Sequence, residues 1–198
     1  MKLPAIALCM ALLPAATTHA QSNRVDLSGI DPMQVLAGAG DVLQRAPDGD
    51  IDRLFRAVHV ASRNDAEARG LCALFEPDAD RSLLGLQRAA NALGNESRQR
   101  FVEAVTAIAV NGLQAPRQSY DPAVGEQALK AATVTGMLLH DGFLAGLGAT
   151  GRDAASRGAR CTAFRQLVDV LNDFDLVQRA AATRFLLSEG LARYGGEL

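Results

Sequence analysis

From about residue 31 to the C-terminus, apolar positions recur at intervals of three and four residues, not two. That is the period of an amphipathic α-helix. Asp31-Pro32 followed by Gln34 has the form of a capping box with proline at the first helical position. It predicts a helix to about Ala46 with Leu36 and Leu43 on one face, stopped by Pro47. Asp50 is placed to cap the next, where Ile51, Leu54, Phe55 and Val58 keep the helical period. A short helix from about Asp65 carries Leu71, Cys72 and Phe75 and ends at Pro77. Asp78 or Asp80 caps a segment with Leu83, Leu86 and Leu93, closed by Gly94.

Asn95 opens an amphipathic helix with Phe101, Val105, Ile108 and Ala109 as its stripe. Asn111 to Tyr120, containing Pro116, is the clearest loop and the candidate division between two halves. Asp121-Pro122 starts a long helix expected to reach Leu147, followed by a loop from Gly148 to Gly158. Cys161, Phe164, Val168 and Leu171 share a face of the next helix, and Asp175 with Gln178 caps a last one to about Tyr194. Alternating strand patterns are missing. The expected fold class is all-α, an irregular bundle of about seven or eight helices rather than a solenoid.

The N-terminus follows a different pattern. Met1-Lys2 is a minimal positive region, Leu3 to Leu13 is apolar, and Thr18-His19-Ala20 offers small residues for a signal peptidase. The expectation is a signal peptide over 1–20, cleavage before Gln21, and a single helical domain over 21–198 in the periplasm. The apolar run is shorter than the roughly 20 residues a membrane span needs. In that oxidising compartment the two remaining cysteines, Cys72 and Cys161, are expected to form one disulfide. Both stand in C-x-x-F, so Phe75 and Phe164 are placed to pack around the bond. Zinc is the rival use of Cys72, Cys161, His59 and His140, but the four lack finger or ribbon spacing, and no metal or cofactor is expected. Beyond residue 20 stand one lysine and eighteen arginines against twenty-two acidic residues, a net charge of −3. That balance argues against a nucleic-acid binder.

Catalytic patterns are mostly missing: no G-x-S-x-G, S-x-x-K, H-E-x-x-H or phosphate-binding glycine loop occurs. His59 follows Phe55 by one helical turn and is expected to pack at the edge of the apolar stripe. His140-Asp141 point about 100° apart on a helix and form no dyad. Asp48, Asp50 and Asp52 alternate like the start of a calcium loop, but Arg53 and His59 occupy the positions that need Gly and Glu, so helix capping is expected of them. Glu96-Ser97 at a helix start resembles the Glu-Ser pair of lytic transglycosylases, and Ala109-Val110-Asn111-Gly112 resembles a later motif of that family. The resemblance implies a catalytic acid at Glu96; the intermediate motif of the family is missing and the two fragments lie too close together.

Gly136, Gly142, Gly146, Gly148 and Gly151 crowd an apolar stretch. They permit close helix approach, or else a partly unwound segment whose Leu138, Leu139, Phe143 and Leu147 meet a partner. Asp169, Asp173 and Asp175 form a candidate acidic patch, with Arg165 one turn before to offset their repulsion. Three function classes follow. The first is a non-enzymatic protein-binding module, docking through Asp169, Asp173, Asp175, Phe143 and Leu147. In general type such a small, exported helical chain resembles the immunity proteins that neutralise secreted antibacterial effectors, which implies an effector as partner. The second is an apolar small-ligand or lipid-binding protein, its cavity lined by the glycine-rich segment and its leucines. The third is a peptidoglycan-cleaving enzyme using Glu96.

Overall fold

The computed structural model describes residues 32–76, 78–80 and 83–196. The expected signal peptide, Asp31 of the first capping box and Pro77 lie outside the described residues. Nine helices form among the described residues: α1 (Pro32–Arg45), α2 (Asp48–Arg63), α3 (Asp65–Ala73), α4 (Leu83–Asn91), α5 (Asn95–Gln114), α6 (Pro122–Leu139), α7 (Phe143–Leu147), α8 (Ala154–Asn172) and α9 (Leu176–Gly196). The fold is all-α with one disulfide, and no described residue is in a strand. The described residues form one compact unit.

The helix count exceeds the expected seven or eight partly because the long helix expected over 121–147 breaks. His140 leaves the helix in extended geometry and Gly142 takes φ +78°, a left-handed conformation that favours glycine, so the chain turns and restarts as α7. Other boundaries shift by a turn. α2 begins at Asp48 behind Pro47, which places Asp50 inside the helix, not at its cap. α5 starts behind Gly94 and continues through Asn111 to Gln114, so the loop before α6 is shorter than expected. α8 starts at Ala154, four residues inside the loop expected to end at Gly158, with the Asp153 carboxylate accepting from the Ser156 N–H. The Ser156 hydroxyl, and then that bond, hold the Asp153 carboxyl down at about 2. The Asp175 cap forms as expected, accepting from the Gln178 N–H at 2.8 Å.

α2 and α9 pack together at the centre. α1 and α5 cover one side of this pair, and α6 and α8 the other; α3 leans on α2 and α8. The main core joins Phe55, Ala128, Ala132, Val168, Leu171 and Ala182. A second cluster joins Leu43, Ala46, Ile51 and Ala180. Alanine dominates the contacts of α9 (Ala180 and Ala182 are fully buried), which lets the helix backbones approach closely.

This small-residue core is tied together by buried arginines. Arg184, 1 % exposed, donates to the Leu43 and Ala46 carbonyls at the C-terminus of α1 and to Asp48 Oδ1 at 2.7 Å, and lies over the Tyr120 ring. Arg179 does the same for α8, donating to the Asn172 and Phe174 carbonyls, to Asp52 Oδ1 at 2.6 Å, and covering Phe55. Arg160 donates to the Ala149 and Gly151 carbonyls and pairs with Glu76. Each guanidinium satisfies carbonyls in a segment just after a helix or at its end, where no backbone partner exists. The capping role expected of Asp48, Asp50 and Asp52 is therefore corrected. Asp52 and Asp48 hold these arginines, and Asp50 accepts from the Asn111 side chain at 2.6 Å.

Burial pushes the Asp52 carboxyl up, but the hydrogen bonds from Arg179 and Arg56 outweigh it and hold the group below its ordinary value. A carboxyl depressed in the folded state adds stability above its unfolded pKa, about 4, and loses it as pH falls through the lowered value. The urea midpoint of the protein is thus expected to fall with acidification below about pH 4. Asp52→Asn should lower the midpoint at neutral pH and flatten that acid limb. An acid limb as steep in the variant as in the wild type would remove Asp52 from the account.

Candidate docking surface

The glycine-rich corner of α6, α7 and α8 resolves in favour of close approach. Phe143 is 1 % exposed, its ring seated against Gly136, where a Cβ would fall 2.7 Å from the ring. Gly146 lies against α8, where a Cβ would fall 2.6 Å from the Ala159 carbonyl oxygen and 2.8 Å from Ala163 Cβ. Phe143 is thus corrected from a partner-facing residue to the anchor that fixes α7 under α6. What it anchors is apolar and outward: Leu138 is 80 % exposed and Leu139 65 %, with Val134, Met137, Leu144 and Leu147 also exposed. From Val134 to Leu147 Asp141 is the only carboxylate, and no lysine or arginine occurs. Single exposed leucines are ordinary on protein surfaces, but six large apolar side chains within fourteen residues of chain are not.

The acidic candidates fare differently. Asp169 meets His59 at 2.9 Å and links α8 to α2, while His59 stacks on Phe55. Asp175 is occupied as a helix cap, and Asp173 is the exposed C-cap of α8. Arg165 pairs with Asp65 at 2.9 Å. Asp169 and Asp175 thus have partners within the chain while remaining exposed, as Asp173 does, and of the residues expected to dock a partner it is Phe143 that is buried.

Cys72 and Cys161 stand at disulfide distance, joining α3 to α8. The Phe75 and Phe164 rings lie 4.9 Å apart beside them. The bonded pair is not available as a thiolate zinc ligand, and no three metal-binding side chains converge among the described residues. No described helix is long and apolar enough to cross a membrane.

Clefts open at the surface near Glu96 and near Tyr120. One, of about 380 Å³, is lined by Val60, Asn64, Glu67, Asn95, Glu96 and Arg100 among others. Glu96 there is 87 % exposed in its side chain and paired with Arg100 one turn on, while Glu67 accepts from the Gly94 N–H. Glu96 sits in an exposed ion pair, not at the base of a desolvated cleft. The other, of about 290 Å³, lies between the end of α1, the α5–α6 loop and α9, with Gln44, Arg117, Tyr120 and Glu189 in its wall. Burial raises the Tyr120 hydroxyl above its ordinary value. The leucines of the α6–α7 corner line neither cleft.

The corner was half legible: its apolar composition is visible in the chain, whereas the burial of Phe143 depends on contacts with Gly136 that no local pattern gives. Arg179 and Arg184 escaped notice because an arginine on a helix reads as solvated unless its partners, more than a hundred residues away, are known. Comparison with protein-family models, with curated proteins and with solved structures finds no match to this chain.

Proposed function

We propose that this chain is a periplasmic protein-binding module and that the α6–α7 corner is its docking surface. The observation that carries this is the exposure of Leu138 and Leu139 on a platform locked from below by Phe143. A rigid apolar projection loses little conformational entropy on docking, and its burial supplies the association energy. A projection needs an apolar concavity as its complement. The clefts at Glu96 and at Tyr120 are lined largely by charged and polar side chains and do not supply one, and in this reading the complement belongs to a different protein. The more specific proposal is that this partner is a secreted antibacterial effector and that the corner occludes its active cleft, as expected of an immunity protein.

The test is capture by the tagged chain, purified from the periplasm, side by side with Leu138→Asp/Leu139→Asp. Both positions are largely solvated, so the double variant should keep the wild-type circular dichroism and urea midpoint. The expected result is one stoichiometric partner held by the wild type and lost by the variant, a loss of affinity of roughly 100-fold or more for truncating a central apolar anchor. Co-expression should then protect cells from that partner's toxicity, and the variant should not. A partner held equally by both proteins would move the docking site elsewhere. Failure to capture any protein, or binding to lipid vesicles in its place, would overturn the protein-binding proposal.

A further inference from the structure

The α7 side of the α6–α7 corner is held from behind by Arg160. Its guanidinium donates to the Ala149 carbonyl at 2.9 Å and to the Gly151 carbonyl at 2.7 Å, in the connection that leaves α7. A five-residue helix is too short to keep its own geometry, so the turn bonds of Gly146, Gly148 and Ala149 depend on such outside contacts. Arg160 is itself largely buried and pairs with the buried Glu76, four residues after Cys72. Its Nε–H is buried without a partner, so the guanidinium keeps its place through the Glu76 carboxylate and the two carbonyls. Arg160 also stands directly before Cys161. The disulfide and the Glu76–Arg160 pair thus join the same two segments side by side, and both line one small cavity with Phe75 and Phe164.

We propose that the Cys72–Cys161 bond is a redox latch on the docking corner, acting through Glu76 and Arg160 on the end of α7. A dithiol reductant opens it by exchange. One of its thiolates attacks a cysteine sulfur and displaces the other cysteine as a thiolate. Its second thiolate then resolves the mixed disulfide, so the reductant leaves as a disulfide and both cysteines take the protons it gave up. α3 is then kept in place by the burial of Ala68 and Leu71 and by the exposed Asp65–Arg165 pair, which contributes little. Its end is released, and Glu76 withdraws from Arg160. A guanidinium does not lose its charge, so without the carboxylate it is an uncompensated buried cation and turns to water. The Ala149 and Gly151 carbonyls lose their donor, and the end of α7 that carries Leu144 and Leu147 loosens. Leu138 and Leu139 stand outside this chain of contacts, so the open latch weakens docking without abolishing it.

The control of docking rests on the function proposed above; the loosening of α7 does not, and is read on the chain alone. Amide exchange of the protein purified from the periplasm is compared in the oxidised form, after reduction with dithiothreitol, and in Glu76→Gln with the disulfide intact. Exchange at Gly146, Gly148 and Ala149 is expected to accelerate roughly tenfold or more in the last two, the worth of a hydrogen bond to a charged group. In Glu76→Gln, Asp65–Ala73 should exchange as in the oxidised wild type, because the bond still holds α3. That variant decides the outcome if reduction unfolds the whole chain. Unchanged exchange at the three amides in Glu76→Gln overturns the latch, as does unchanged exchange in a folded reduced protein. The partner captured by the oxidised wild type should bind the reduced protein and Glu76→Gln roughly tenfold more weakly. Equal affinity beside faster exchange overturns the control of docking, whereas failure to capture any partner counts against the docking reading alone.

Discussion

Arg184→Ala is expected to lower the unfolding free energy of this protein by about 3–5 kcal/mol, the cost of removing one partner from a buried charged hydrogen-bond network. The side chain is almost wholly buried, and its guanidinium is shared between the Leu43 and Ala46 carbonyls and Asp48. Removing it orphans carbonyl groups at the end of α1 that no backbone N–H reaches. It also leaves a void beneath the Tyr120 ring and beside the Leu43, Ala46 and Ile51 cluster. Asp48, about half exposed, can return to water, so the orphaned carbonyls and the void carry most of the loss. Arg184→Lys should recover only part of it, because an ammonium does not reproduce the planar fork that reaches two carbonyls and a carboxylate together. Urea denaturation followed by circular dichroism measures both variants. A loss below about 1 kcal/mol for Arg184→Ala, the range of a surface change, would mean that the α1 terminus is satisfied in another way.

Loss of the Cys72–Cys161 bond is expected to cost about 4–5 kcal/mol, from the chain entropy released when a loop of 89 residues is opened in the unfolded state. The bond ties the nine-residue α3 to α8, and α3 by itself is too short to be stable. The loss should therefore have a local signature as well as a global one. In Cys72→Ser/Cys161→Ser, amide exchange is expected to accelerate over Asp65–Ala73 before the α2–α9 centre is affected. Denaturation of the wild type with and without reductant gives the global number. Equal midpoints in the two conditions would show that the cross-link adds nothing to the native balance.

The two effects differ in origin. The arginine acts on the native state, through groups that folding has removed from water. The disulfide acts on the unfolded chain, through conformations that it forbids. Reduced protein should accordingly unfold at lower urea while keeping its α1–α9 junction intact until the main transition, whereas Arg184→Ala should loosen that junction first.

The helical nature of this chain was written in its local pattern. A 3.6-residue apolar period, Pro47 and Pro122 at helix starts, and aspartates at 121 and 175 as caps act within one turn, so neighbours in sequence suffice to specify them. The disulfide was legible by counting once Cys9 of the expected leader is set aside, because the two cysteines beyond residue 20 leave one pairing. The break at His140–Gly142 was not: apolar residues resume at Phe143 beyond the polar His140-Asp141-Gly142, and the turn is fixed by Phe143 finding Gly136. The fate of the aspartates before α2 was likewise undetermined. Capping and burial ask for the same residue type, and only the arrival of Arg179 and Arg184 from the far end of the chain decides between them. The same holds for the surface. Periodicity marks Val105 and Ile108 alike as apolar, and tertiary packing alone half-buries one against the Leu43 cluster and leaves the other to solvent. Local sequence determines which backbone conformation each segment takes, because those interactions span three or four residues. Which charges are buried and which apolar faces remain for partners is decided by contacts across a hundred residues, and these exist only once the helices have packed.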